Sequence, residues 1–157
     1  MGAVKLILDL LKTDNIKVKV KANNWKEVVE KAGKLLKDAD YVEEEYIKAM
    51  KDAIIDNGPY VVIGKGIALL HARPEDGVKK MGMSLVTLKE AVEFGNKNND
   101  PVKIAFAFCA EDNKKHINAI ADLSQVLMEE DSVNKIAAMK SSEEIIDYIK
   151  SSVEKNQ

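Results

Sequence analysis

The chain is poor in the residues that most often announce a function. It has one cysteine, Cys109, which excludes an internal disulfide and fits a reducing compartment. No apolar run approaches the roughly 18–20 residues that a membrane helix needs. The opening stretch, M-G-A-V-K-L-I-L-D-L-L, is too short for a signal peptide and carries Asp9. Leu6 stands where a myristoylation signal would have Ser or Thr. These absences point to a cytoplasmic protein. A formal charge of −2 is too small to suggest nucleic-acid binding. Tight metal spacings such as C-x-x-C or H-E-x-x-H are missing, so no metal site is expected. G-K-G at 64–66 is too short for a nucleotide-binding fingerprint and reads as a turn. No cofactor is implied, and no Ser-His-Asp arrangement stands out.

What is present fits one globular domain. At 157 residues, 46% hydrophobic and 32% charged, the chain can bury a real core. Val4 to Leu11 reads as a short helix. Ile16 to Val20 alternates strictly, as a half-buried strand does. Lys17, Lys19 and Lys21 then form its solvated face. Trp25, Val28, Val29, Ala32, Leu35 and Leu36 recur at helical spacing, with Asn24 and Glu27 as a capping pair. Tyr46, Ala49, Met50, Ala53 and Ile54 mark a second helix, for which Asp40 is the expected cap and Gly58-Pro59 the stop. Tyr60–Ile63, Gly66–Leu70 and Met83–Leu88 are short strand candidates. Val102–Phe108 is apolar on both faces, which predicts a central strand covered on both sides. Three helices follow, over Asn113–Met128, Ser132–Met139 and Glu143–Val153, the last with Ser141 and Glu144 as a capping box. The pattern predicts an α/β class: a three-layer α/β/α domain with a mixed central sheet flanked by helices.

Two rare residues draw attention. His71, one of two histidines, ends the apolar run Ile67–Leu70, and Arg73 is the only arginine among 24 cationic residues. Strand ends in α/β sheets are common places for sites. Pro74 biases Arg73 toward extended geometry, which would put positions 71 and 73 on one side. An imidazole nucleophile and a guanidinium fork could then share one anion. The alternative is a histidine that merely ends a strand, with Arg73 in an ion pair to Glu75 or Asp76. His116, the second histidine, falls early in its helix, where backbone N–H groups favour anions. It is otherwise a semi-buried histidine bonded to backbone. If the strand before His71 runs parallel to Val102–Phe108, the two histidines approach one edge. Cys109 is read as a small buried hydrophobe.

The segment G-I-A-L-L-H-A-R-P-E-D-G-V and the second anchor A-E-D-N-K-K-H-I-N-A-I-A-D-L resemble the enzyme IIA components of the bacterial sugar phosphotransferase system. The mannitol/fructose-type superfamily, and within it the ascorbate-type branch, is the nearest match, over about residues 20 to 150. Two departures stand out. Leu70 replaces the usual proline before the histidine, and Ala53 falls near the helical arginine of mannitol-type relatives. The resemblance implies a single type-2 enzyme IIA domain over residues 1–157, acting as a phosphotransferase. His71 would accept a phosphoryl group on Nε2 from phospho-HPr and pass it to a cysteine of an enzyme IIB partner. His116 would stabilise the phosphate, and Arg73 is a candidate phosphate contact. A membrane enzyme IIC would be served indirectly, and ascorbate or a related sugar would be the cargo. A homodimer stays open. A regulatory or a non-catalytic anion- or metal-binding module of the same fold is the alternative.

Overall fold

The computed structural model describes the backbone of residues 4–127 and 131–155, and the side chains there apart from 4–6, 113, 115–119, 122 and 153–155. Five strands form one sheet: β1 (Ile16–Val20), β2 (Val62–Gly64), β3 (Ile67–Leu70), β4 (Gly82–Val92) and β5 (Val102–Cys109). Their spatial order is β1-β4-β5-β3-β2. β1 runs parallel to β4, β4 antiparallel to β5, β5 parallel to β3, and β3 antiparallel to β2. The sheet is therefore mixed, as expected.

Helices cover both faces. On one side lie α2 (Trp25–Asp38) and α3 (Glu44–Asn57). They bury Val28, Leu36, Met50 and Ile54 against Leu70, Val86, Ala105 and Ala107. On the other lie α1 (Val4–Leu10), α4 (Asn113–Leu127), α5 (Ser132–Ala138) and α6 (Ser142–Lys155). Ile7, Leu123, Ile136 and Ile145 pack there against Leu69, Leu85, Ile104 and Phe106. The alternation along β5 explains the split: phenylalanines face one layer, and Ala105, Ala107 and Cys109 face the other. Small residues on the second face let α2 and α3 come close to the sheet.

Local chemistry sets the element ends. The Asn24 side chain accepts from the Glu27 N–H at 3.0 Å, and Glu144 N–H donates to Ser141 Oγ at 3.1 Å. Both caps match the sequence pattern. The Glu27 carboxylate reaches back to the N–H of Asn23, one residue earlier than a standard capping box. Gly58 ends α3 at φ +82°, with its N–H on the Ile54 carbonyl at 2.8 Å. The expected cap at Asp40 is not formed. α3 starts at Glu44, and Asp40 sits at φ +65° with its carboxylate 2.6 Å from Lys79 Nζ. The left-handed turn after α2 points Asp40 away from α3. β4 also runs beyond Leu88 to Val92, because β5 continues to pair with it as far as Val102. Met128 lies outside the described residues.

Candidate functional site

β3 and β5 run side by side in parallel register, from Ile67 opposite Ile104 to Leu70 opposite Ala107. Both carboxyl ends therefore reach the same edge of the sheet, joined there by the start of β4, where Gly82 pairs with Cys109. His71 is the first residue past β3, and α4 begins four residues past β5. The parallel arrangement that would bring the two histidine-bearing segments to one edge is thus present. His116 occupies the first turn of α4, and its side chain lies outside the described ones.

Two contacts among those described help hold the half-buried His71 ring. Its Nδ1 lies 2.9 Å from the Leu69 carbonyl oxygen. A carbonyl only accepts, so Nδ1 carries the proton and the ring lone pair sits on Nε2. Tyr60 packs edge-on against the imidazole, with ring centroids 5.6 Å apart. The backbone carbonyl fixes the tautomer, and the tyrosine limits rotation of the ring.

The ring opens on a groove of about 630 Å³ lined by α3 and the loop after β3. Ala49 and Ala53 line it from α3, so this helix brings no cation to it from those positions. Lys48 and Lys51 of the same helix do not line the groove; Lys48 pairs with Asp52, a carboxylate of the groove lining, and Lys51 with Glu30. Among the described lining residues Arg73 is the one permanent cation. Its guanidinium is held by Asp76, with Nε 3.3 Å from Oδ2 and Nη2 3.4 Å from Oδ1. The Arg73 backbone N–H donates to the same carboxylate at 3.0 Å. This pair closes a single turn at Pro74–Asp76 and leaves the arginine side chain 75% exposed. His71 and Arg73 thus share one groove, and the arginine takes the ion pair to Asp76.

Cys109 is fully buried and donates to the carbonyls of Lys80 and Gly82. Burial pushes its thiol up to about 12, so it stays protonated and structural. The sequence pattern passed over Tyr46, seen there only as one member of a core stripe. Its ring is fully buried, but its hydroxyl accepts from the Ala72 N–H at 2.9 Å and donates to the Phe108 carbonyl at 2.7 Å. A buried tyrosine needs a partner for its hydroxyl, and that requirement was the available signal.

Residues 9–152 match the family model of the phosphoenolpyruvate-dependent sugar phosphotransferase system, EIIA 2. The chain belongs to that family. Enzyme IIA components are phosphotransferases that carry a phosphoryl group, and this chain is one of them. It is similar to the ascorbate-specific PTS system EIIA component of Salmonella choleraesuis (strain SC-B67), at 38% identity over 147 residues, which span 93% of this chain and 96% of that one. Its fold matches the solution structure of the mannitol-specific cryptic phosphotransferase enzyme IIA of Escherichia coli with a TM-score of 0.82 and 37% identity, over 91% of this chain and 97% of that one. It also matches the Escherichia coli mannitol enzyme IIA seen in complex with phosphorylated enzyme IIB, at a TM-score of 0.81 and 29% identity, covering 90% and 99% of the two chains.

Proposed function

We propose that this enzyme IIA accepts a phosphoryl group from phospho-HPr on Nε2 of His71 and passes it to a cysteine of an enzyme IIB partner. The observation that carries this reading is the Nδ1–H bond to the Leu69 carbonyl, which directs the nucleophilic lone pair to Nε2. In the first step the P–N bond of the donor histidine breaks as the P–Nε2 bond forms. Positive charge then develops on the imidazole ring, and the Leu69 carbonyl facing Nδ1–H stabilises it without reorganisation. In the second step the cysteine, as its thiolate, attacks phosphorus, the P–Nε2 bond breaks with its electron pair returning to Nε2, and His71 returns to its neutral tautomer. Transfer of this kind is mostly positioning and charge stabilisation.

Arg73 is the groove cation able to meet the phosphate, by turning from Asp76. His116 donates to the phosphate from the first turn of α4, where unpaired backbone N–H groups add favourable charge. Tyr60 is 45% exposed, and the nearby edge strand β2 presents Ile63 at 49%. These apolar groups supply the docking surface for HPr and enzyme IIB, with the carboxylates of the groove around them. The relatives named for ascorbate support ascorbate or a related sugar as the cargo, delivered through a membrane enzyme IIC. Residues 1–157 act as one type-2 domain in the cytoplasm. No helix among the described residues is long and apolar enough to cross a membrane, in keeping with that location.

Incubation with phosphoenolpyruvate, enzyme I and HPr is expected to place an acid-labile, base-stable phosphate on the protein. His71→Ala should abolish the label. A label retained by that variant would remove His71 as the acceptor.

A further inference from the structure

The parallel ladder between β3 and β5 ends with Leu70 opposite Ala107, one residue before the histidine. Beyond that point a side chain takes over from the backbone. The hydroxyl of Tyr46, reaching in from α3, accepts the Ala72 N–H at 2.9 Å and donates to the Phe108 carbonyl at 2.7 Å. The Ala72 carbonyl lies 3.3 Å from the same oxygen. One hydroxyl thus joins the residue after His71 to the penultimate residue of β5, close to where the chain turns toward α4.

We propose that Tyr46 is a positioning residue for phosphoryl transfer, fixing the corner that carries His71 against the carboxyl end of β5. The proposal deepens the phosphocarrier reading and rests on it. Tyr46 is fully buried, so it touches neither phosphate nor partner protein. A phenylalanine would fill the same volume; what the hydroxyl adds is direction. Its donor and acceptor roles are both used, on β5 at Phe108 and on the chain after β3 at Ala72, where these two strands have stopped pairing with each other. His71 lies between the last ladder pair and this clamp, so its backbone is held on both sides. Its Nδ1–H reaches back to Leu69 only while that corner keeps its shape. In-line transfer is sensitive to such geometry, and a displacement of about 1 Å costs roughly a hundredfold in rate.

Tyr46→Phe tests this without changing core volume. Single-turnover transfer from phospho-HPr, measured per folded molecule, is expected to slow by about 10- to 100-fold. The concentration of phospho-HPr giving half-maximal rate should stay unchanged, because the hydroxyl is not on the docking surface. A second readout does not depend on transfer. Long-range proton–nitrogen NMR of the His71 ring should show the Nδ1–H tautomer dominant in the wild type and depleted in Tyr46→Phe, with faster exchange of the Ala72 amide. A merely structural tyrosine would lower thermal stability and leave both the tautomer and the rate per folded molecule unmoved; either unmoved result overturns the proposal. If the wild-type protein takes no label on His71, the phosphocarrier reading fails by itself. The tautomer and the Ala72 exchange then decide whether Tyr46 sets the corner.

Discussion

Arg73 and Asp76 hold each other across a single turn, with the guanidinium 75% exposed and the carboxylate 21% exposed. An ion pair with its cation this exposed contributes little, since water screens it and the long arginine side chain must be ordered to make it. The guanidinium can therefore leave Asp76 for a stronger anion at small cost. A phosphoryl group on His71 would be that anion, because an arginine fork matches phosphate oxygens better than a point charge does. Arg73→Ala is expected to slow transfer from phospho-HPr by about tenfold, and Arg73→Lys by less. Stopped-flow or quenched transfer assays would measure both, and a wild-type rate in Arg73→Ala would remove Arg73 from the chemistry. At this scale the sequence was informative where a residue type is rare and its neighbours are distinctive. His71 stood out by scarcity and by the segment around it. Tyr46 did not, because a buried tyrosine on an apolar stripe looks the same whether its hydroxyl serves a loop or a distant strand.

The elements were legible wherever one face is buried and a cap marks the end. β1, α2, β5 and α5 follow their periodicity, and Asn24 and Ser141 cap the helices they were expected to cap. The misses have physical causes. Asp40 adopts a left-handed conformation that directs it to Lys79 instead of to α3. The extra length of β4 comes from its partner, since Lys89 and Glu90 are exposed and give no apolar signal of their own. Two alanines on the expected stripe of α3 line the groove at His71 and leave part of the core contact to Ile47. At the other end of β4, Gly82 pairs with Cys109 directly beneath the ring of Tyr41. A methyl group at Gly82 would clash with that ring, most closely with Cδ2. Gly82→Ala should therefore destabilise the protein by about 1–3 kcal/mol in urea or thermal unfolding. It should do so while shifting the strand end that neighbours the His71 corner. Unchanged stability would mean that Tyr41 can move aside freely.

As a whole the molecule is a sheet clad on both faces, with the proposed phosphoryl site at one edge. Two of its buried groups, Cys109 and Tyr46, are kept protonated by desolvation. This has a consequence for stability at alkaline pH. The Cys109 thiol is raised by burial to about 12 from an ordinary value of 9.0. Above pH ~9 the unfolded chain gives up that proton and the folded chain keeps it, so stability falls as pH rises toward the folded value. The slope from this one group approaches about 1.4 kcal/mol per pH unit. Cys109→Ala should flatten the decline between pH 9 and 11 in chemical unfolding, relative to wild type; parallel profiles would show that the thiol is not held back by burial. The central claim, however, concerns one atom. The most direct measurement is phosphorus–nitrogen NMR of the nitrogen-15-labelled protein after phosphorylation by phosphoenolpyruvate, enzyme I and HPr. The account predicts a phosphorus–nitrogen coupling at Nε2 of His71, with Nδ1 still protonated. A phosphate on Nδ1, or on any residue other than His71, would contradict it.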